Sequence, residues 1–271
     1  MGTFLYETHL HTSQASLCGR SEGHEYIQRY LDAGYAGIVI TDHFFRGNTC
    51  VNRSLPWPEF VNRYCAGYED ARNEGEKLGF PVFFGWEETF DDGNDFLVYG
   101  LDKAWLLEHP EVREWDRVRQ FEEVRRSGGC VVQAHPFRAA RYIGTIRLAP
   151  ALVDAVEGYN SGDRPEWKVL DRRYAALSGL PVTAGSDIHH ADRVDPSYTA
   201  GVVFDRPWDS IRDYVQAIRQ HLPFGLRCPQ PVPDWTEDDL PERPVVWMGR
   251  DGLPVQIDTI KALRDGFRDR F

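Results

Sequence analysis

Eight short runs rich in β-branched and aromatic residues punctuate the chain, and most of them end in an ionisable side chain. They are TFLYETH (3–9), GIVITD (37–42), PVFFGWE (81–87), DFLVYGL (95–101), CVVQAH (130–135), AVEGYN (155–160), PVTAGS (181–186) and AGVVFD (200–205). Runs of this length alternating with longer amphipathic segments predict repeated βα units and a parallel sheet, an α/β fold. Helices are expected over 58–79, where Pro58 opens and Gly79 stops a stripe containing Phe60, Tyr64 and Tyr68, and within 111–129, 165–180 and 207–221. Beyond residue 222 the texture turns Pro-rich. A hairpin turning at Asp251-Gly252 and a last helix capped by Asp258 follow. The expected organisation is therefore a main domain over 1–222 and a C-terminal extension over 223–271 packed on it.

In a βα barrel the C-terminal strand ends open on one face, and active sites collect there. His9 and His11 close the first run, and residues two apart on a strand share a side. Asp42 and His43 close the second, Glu87 and Glu88 the third, His135 the fifth, and Asp187, His189 and His190 the seventh, while Asp95 heads the fourth. Taken singly, each has an ordinary explanation: a histidine after an apolar run is commonly a polar residue at a loop start, and a strand-end aspartate is commonly a helix cap. Their coincidence carries the argument, because five of the nine histidines (His9, His11, His43, His135, His189) hold the same place relative to an expected strand. His24, His109 and His221 keep the ordinary reading, and Glu88 and His190 stand beside better candidates. Imidazole with carboxylate and no paired thiols suits divalent Zn, Mn or Fe. Two such ions lower the pKa of a bridging water toward ~7 and stabilise attacking and leaving oxygens, which is hydrolysis chemistry.

Taken in order, HxH near the start, TDH, GWE, AHP and SDIH resemble the motifs of the PHP (polymerase and histidinol phosphatase) family, over roughly residues 3–205. The resemblance implies a distorted (β/α)7 TIM-like barrel of the PHP type with a short C-terminal appendage, and two or three divalent metal ions at one face. It implies that His9, His11 and Asp187 hold one ion, that Glu87 bridges to a second held by His135, with Asp95 where the family often has histidine, and that His43 and His189 belong to a third. For that third ion the family usually adds a His or Asp five or six residues after HxH, where this chain has Ser16 and Leu17, and CGR stands in place of CGH. Either fewer protein ligands hold the ion, completed by water or substrate, or Arg20 supplies the positive charge; the first reading is favoured.

The expected function is a metal-dependent phosphoesterase, a phosphatase more than a nuclease, in which a metal-bridging hydroxide attacks phosphorus. Asp187 and His43 are the candidate catalytic residues, with His43, if free of metal, protonating the leaving alkoxide. Arg20, Arg46 and Arg138 follow metal motifs and are the candidate phosphate binders, since the planar guanidinium fork suits that group. Arg138, three residues after His135, is preferred. With Lys plus Arg at 31 against 42 for Asp plus Glu, the net charge of −11 favours a small phosphorylated metabolite or nucleotide over a polynucleotide. An amidohydrolase acting on C–N bonds is the enzyme alternative, disfavoured because none of Lys77, Lys103, Lys168 and Lys261 ends a strand; a metal-binding module without catalysis is the other. Five cysteines without a CxxC pair fit a reducing compartment. No basic leader precedes an apolar stretch, and no run reaches the ~18 apolar residues that span a bilayer, so a cytoplasmic protein free of the membrane is expected.

Overall fold

Each of the eight apolar runs forms a strand, and four further strands complete the architecture. The computed structural model describes residues 2–90 and 93–271. In chain order the strands are β1 (Phe4–Glu7), β2 (Gly37–Ile40), β3 (Val82–Phe90), β4 (Asn94–Tyr99), β5 (Cys130–Gln133), β6 (Ile146–Leu148), β7 (Ala155–Asn160), β8 (Val182–Gly185), β9 (Gly201–Phe204), β10 (Gly225–Arg227), β11 (Val245–Met248) and β12 (Pro254–Val255). The helices are α1 (Ile27–Asp32), α2 (Trp57–Tyr64), α3 (Ala66–Leu78), α4 (Lys103–Glu108), α5 (Arg117–Arg126), α6 (Pro165–Ser178), α7 (Ile211–Arg219) and α8 (Thr259–Asp265). Nine strands form one sheet in the order β10-β9-β1-β2-β3-β4-β5-β7-β8. It curls into a TIM-like barrel, in which the segments after β1 and β8 meet where the His11 N–H donates to the Ile188 carbonyl at 2.9 Å, beside a parallel bridge between Leu10 and Ile188.

The sheet is not wholly parallel, which corrects the simple βα expectation. The connection from β3 to β4 is too short for a crossover, which needs a dozen residues or more, so these strands form an antiparallel pair with Thr89 opposite Asp95. β4 is antiparallel to β5 as well, and β9 to both β1 and β10. Reversal of β4 brings its first residues, rather than its last, to the face where β1, β2, β3, β5, β7 and β8 end.

The stripe expected as one helix over 58–79 is two, α2 and α3, with buried Cys65 at the break. Before the break, Phe60 and Tyr64 turn inward against Phe44, their rings 6.1 and 5.0 Å from it. After the break, α3 approaches the loop that follows β1 so closely that a Cβ on Gly67 would sit 2.0 Å from Thr12 Oγ1. With Trp86, Phe84 and Trp57 these rings make an aromatic wall behind His43 and Glu87, and each such side chain contributes about 1.5–3 kcal/mol by burial.

The segment after residue 222 adds β10 to the edge of the barrel sheet, and the hairpin turns at Gly252 (φ +76°), pairing β11 with β12. β11 also pairs in parallel with β6. Asp258 caps α8 by accepting from the Lys261 N–H, as expected. Trp247 packs among Tyr174 of α6 and Phe267. Among the described residues, no helix is long and apolar enough to cross a membrane.

Candidate metal centre

Glu87 lies at the middle of the histidines. Its Oε1 is 3.2 Å from Nε2 of His9 and 3.2 Å from Nε2 of His135, while Oε2 is 2.7 Å from Nδ1 of His43 and 3.5 Å from Nε2 of His11. Asp187 reaches in from the end of β8, with Oδ1 3.2 Å from His11 Nε2, 3.5 Å from His9 Nε2 and 3.8 Å from His189 Nδ1. Asp95, at the head of the reversed β4, places Oδ2 3.8 Å from His135 Nε2. The ring of His11 stacks between those of His43 and His189, with centroids 4.4 and 4.5 Å away. Three clusters result, each compact enough to surround one ion: His9, His11 and Asp187; His9, Glu87 and His135; and His11, His43 and His189.

Two features show that the donors suit cations. Glu87 Oε2 and His43 Nδ1 are both buried and close together, yet neither is aligned in a hydrogen bond. The Nε2 atoms of His9 and His11 face each other at 3.2 Å, with the far nitrogens engaged elsewhere. His9 Nδ1 is 3.0 Å from Glu157 Oε1, and His11 Nδ1 is 3.2 Å from the Ser16 hydroxyl, which itself donates to Asp42. A carboxylate or hydroxyl on one ring nitrogen, leaving the other aimed at a shared point, is the outer shell that orients metal-ligating histidines. Imidazoles and carboxylates in these numbers, buried together, fit divalent metal ions.

The backbone supports the same reading. His135 has φ +28° and Asp187 φ +52°, left-handed values that cost side-chain-bearing residues energy and persist where surrounding structure imposes them. The chain's own charges are strongly coupled there. Burial alone would raise the Glu87 carboxyl, but the charges of His43 and His9 and a hydrogen bond from His135 hold it well below the usual carboxylate range. Asp187 is held low against the same burial by Arg138, His9 and His11. Burial and the neighbouring His43 and His189 push His11 well down, whereas burial and the Glu87 charge raise Asp95 to about 6.

The three candidate arginines part company. Arg138 pairs with Asp163 at 2.6 Å and with Asp187 at 2.7 Å, so it stands at the centre. Arg20 is exposed, and its backbone N–H, rather than its side chain, is engaged, donating to the His189 carbonyl at 2.7 Å. The guanidinium of Arg46 is occupied: it donates to Gln120 at 3.2 Å, to the carbonyls of Arg113 at 2.9 Å and Trp115, and meets buried Glu88 at 3.4 Å. Arg46→Ala should therefore cost about 1–3 kcal/mol of stability by stranding these acceptors, with KM for a phosphate ester unchanged. Urea unfolding beside steady-state kinetics checks this, and a raised KM at unaltered stability would return Arg46 to the substrate.

Sequence reasoning missed Glu157 and Cys18. Glu157 is a buried carboxylate inside the apolar run AVEGYN, a signal visible in the sequence; besides His9 it accepts from the His135 N–H and from Asn160. Cys18 lies seven residues after His11 and is half-buried. Burial raises its thiol, but the imidazoles of His189 and His43 outweigh burial and bring it down to about 6.

Fold and site together give a TIM-like barrel with histidine and carboxylate clusters at one face. No protein-family model and no curated protein matches the chain. Among solved structures it is similar to a two-domain protein from Bacteroides vulgatus containing a predicted PHP-like metal-dependent phosphoesterase, with 15% identity, 80% of this chain and 64% of that one covered, and a TM-score of 0.57. It is also similar to Endonuclease Q in complex with a duplex carrying an abasic lesion (12% identity, 83% and 58% covered, TM-score 0.54). The lesion-specific endonuclease of Pyrococcus furiosus gives 11% identity, 83% and 58% covered, and a TM-score of 0.53. The chain thus spans less than two thirds of each of these proteins, and the likeness is one of fold.

Proposed function

We propose that the protein is a metal-dependent phosphoesterase of the PHP type acting on a small phosphate ester. The observation that carries this reading is the buried Glu87 carboxylate, with four histidines from three separate strand ends gathered on its two oxygens. His9, His11 and Asp187 would hold one divalent ion, Glu87, His135 and Asp95 a second, and His43 and His189 a third. Ions held there lower the pKa of bound water and neutralise the charge that builds on phosphoryl oxygens. Arg138 fixes Asp187 and Asp163 and brings to the centre a positive charge whose planar donors suit a phosphate oxygen. His43 cannot ligate an ion and also donate a proton; its place beside Glu87, with His189 near, favours the ion and would leave the leaving-group proton to water at the open side. His189 and His43 form that open side, with side chains 31% and 14% exposed, whereas His9 and His11 are sealed. The net charge of −11 favours a small ester over a long polynucleotide.

A chelated preparation should release no phosphate, and readdition of Mn²⁺, Zn²⁺ or Fe²⁺ should restore release from phosphomonoesters. The panel includes nucleotides, phosphodiesters, duplex DNA with an abasic site, and amides. Nicking of the duplex without monoester turnover would make the enzyme a nuclease, and amide cleavage alone would make it an amidohydrolase. Metal-loaded protein inert toward every ester sinks the reading.

A further inference from the structure

The chain carries 35 aromatic side chains (8 Trp, 12 Tyr and 15 Phe), and the fold buries or half-buries every one but Tyr142. Tyr142 is 63% exposed, and it stands beside the candidate metal centre. An exposed aliphatic side chain is ordinary on a protein surface, whereas a ring left in water by a fold that covers all the others forgoes a large apolar burial. Its place is set by the segment between His135 and β6. The ring lies against Gly93 (φ +88°), where a Cβ would sit 2.7 Å from Tyr142 Cδ2. Gly93 in turn lines one crevice with Asp95, His135, Arg138 and Ile143. Next to the ring the loop is anchored: Ile143 is buried, its N–H donates to the Ala140 carbonyl at 3.0 Å, and its carbonyl accepts from Arg243 Nε at 3.1 Å. Asn94 Nδ2 holds the Thr145 carbonyl at 3.2 Å. The ring is thus fixed at the rim, touching the turn before β4 and open to water elsewhere, so a group that covers it has little loop motion to freeze.

A second apolar side chain marks the rim. Leu17, also 63% exposed, follows Ser16, whose hydroxyl is 3.2 Å from His11 Nδ1 and accepts from the His43 N–H at 3.0 Å. The Leu17 N–H donates to the Asn48 carbonyl at 2.8 Å and fixes that loop. Tyr142 and Leu17 are the two most exposed large apolar side chains among the described residues, and each stands on a loop that leaves candidate metal ligands.

We propose, resting on the phosphoesterase reading above and deepening it, that Tyr142 is a specificity-determining residue and that the ester carries a flat aromatic or heteroaromatic group on its alcohol side. The phosphate is taken among the buried donors and Arg138. The alcohol part stays at the rim, where its ring stacks on Tyr142 and Leu17 offers a second apolar surface. Stacking reads ring shape rather than a pattern of hydrogen bonds, so a class of substrates is selected and not one compound.

Metal-loaded full-length protein is assayed with benzyl phosphate and ethyl phosphate, whose leaving alcohols are similar in acidity, so that the ring is the variable. The benzyl ester should be favoured in kcat/KM by about tenfold, the size expected of one ring–ring contact. Tyr142→Ala should bring the ratio to about one, and Tyr142→Phe should keep it. Calorimetric titration with benzylphosphonate and ethylphosphonate, which are not hydrolysed, should show the same preference in Kd and its loss in Tyr142→Ala. A wild type that turns over both esters, or binds both phosphonates, with equal efficiency overturns the proposal, as does a preference that survives Tyr142→Ala; turnover of both esters would then still uphold the phosphoesterase. Protein inert toward every ester that binds benzylphosphonate better, through Tyr142, keeps the ring site and rejects the phosphoesterase. Protein that neither hydrolyses nor binds any of these compounds overturns both. The wild-type comparisons need no variant to fold.

Discussion

Glu87→Gln should lower kcat for phosphomonoester hydrolysis by about 10³-fold or more, equivalent to about 4 kcal/mol of transition-state stabilisation. The substitution keeps size and shape and removes the charge shared by His9, His11, His43 and His135. Ions should then be lost from more than one cluster at once, because the same carboxylate faces the inner pair and the outer rings. Elemental analysis of purified variant and wild type, beside their kinetics, reads both effects. His9→Ala and Asp187→Ala should be as damaging, through the cluster they share with His11. Undiminished kcat in any of the three variants would remove that residue from the centre.

The second large effect concerns stability. Trp247→Ala should cost about 3–5 kcal/mol, the range for emptying a buried aromatic site. Trp247 is 1% exposed, its ring lies 5.9 Å from Tyr174 and 4.7 Å from Phe267, and its indole N–H donates to Thr259 Oγ1 at 3.1 Å. Because β11 carries this residue while pairing with β6, the residues after 222 and the body of the barrel should unfold in one transition. Urea denaturation followed by tryptophan fluorescence and by far-ultraviolet circular dichroism gives coincident curves on this view. Separate transitions, with the variant shifting only the weaker one, would make the extension an independent unit.

The positions of the strands were legible because each apolar run is short, bounded and rich in residues that suit a pleated surface. Their directions were not. Period-two patterns carry no polarity, and the reversal of β4 depends on the length of the turn before it, a constraint outside the strand itself. That reversal nonetheless accounts for Asp95, which stood at the head of its run while the other candidates stood at the tails. The break at Cys65 was hidden because the aromatic spacing of Phe60, Tyr64 and Tyr68 continues across it; the close approach of Gly67 to Thr12 forces the turn, and that contact is tertiary. The pairing of β6 with β11 joins segments a hundred residues apart and left no local mark.

Within the site, the histidines and carboxylates at strand ends were recoverable from spacing alone. Arg46 shows where spacing stops helping. Adjacency to a motif suggested a phosphate contact for Arg46, yet carbonyls after α4 and the buried Glu88 consume its donors.

The bridge between Leu10 and Ile188 has a consequence for how the protein is made. His9 and His11 emerge from the ribosome about 180 residues before Asp187 and His189, so the first donors are translated long before the last. A nascent chain halted before that point carries imidazoles without the carboxylate that closes their cluster, and its metal sites are fragments. On the ligand set proposed above, acquisition of the inner ion would be tied to ring closure itself, and an ion bound there would fasten the first strand to the eighth like a clasp.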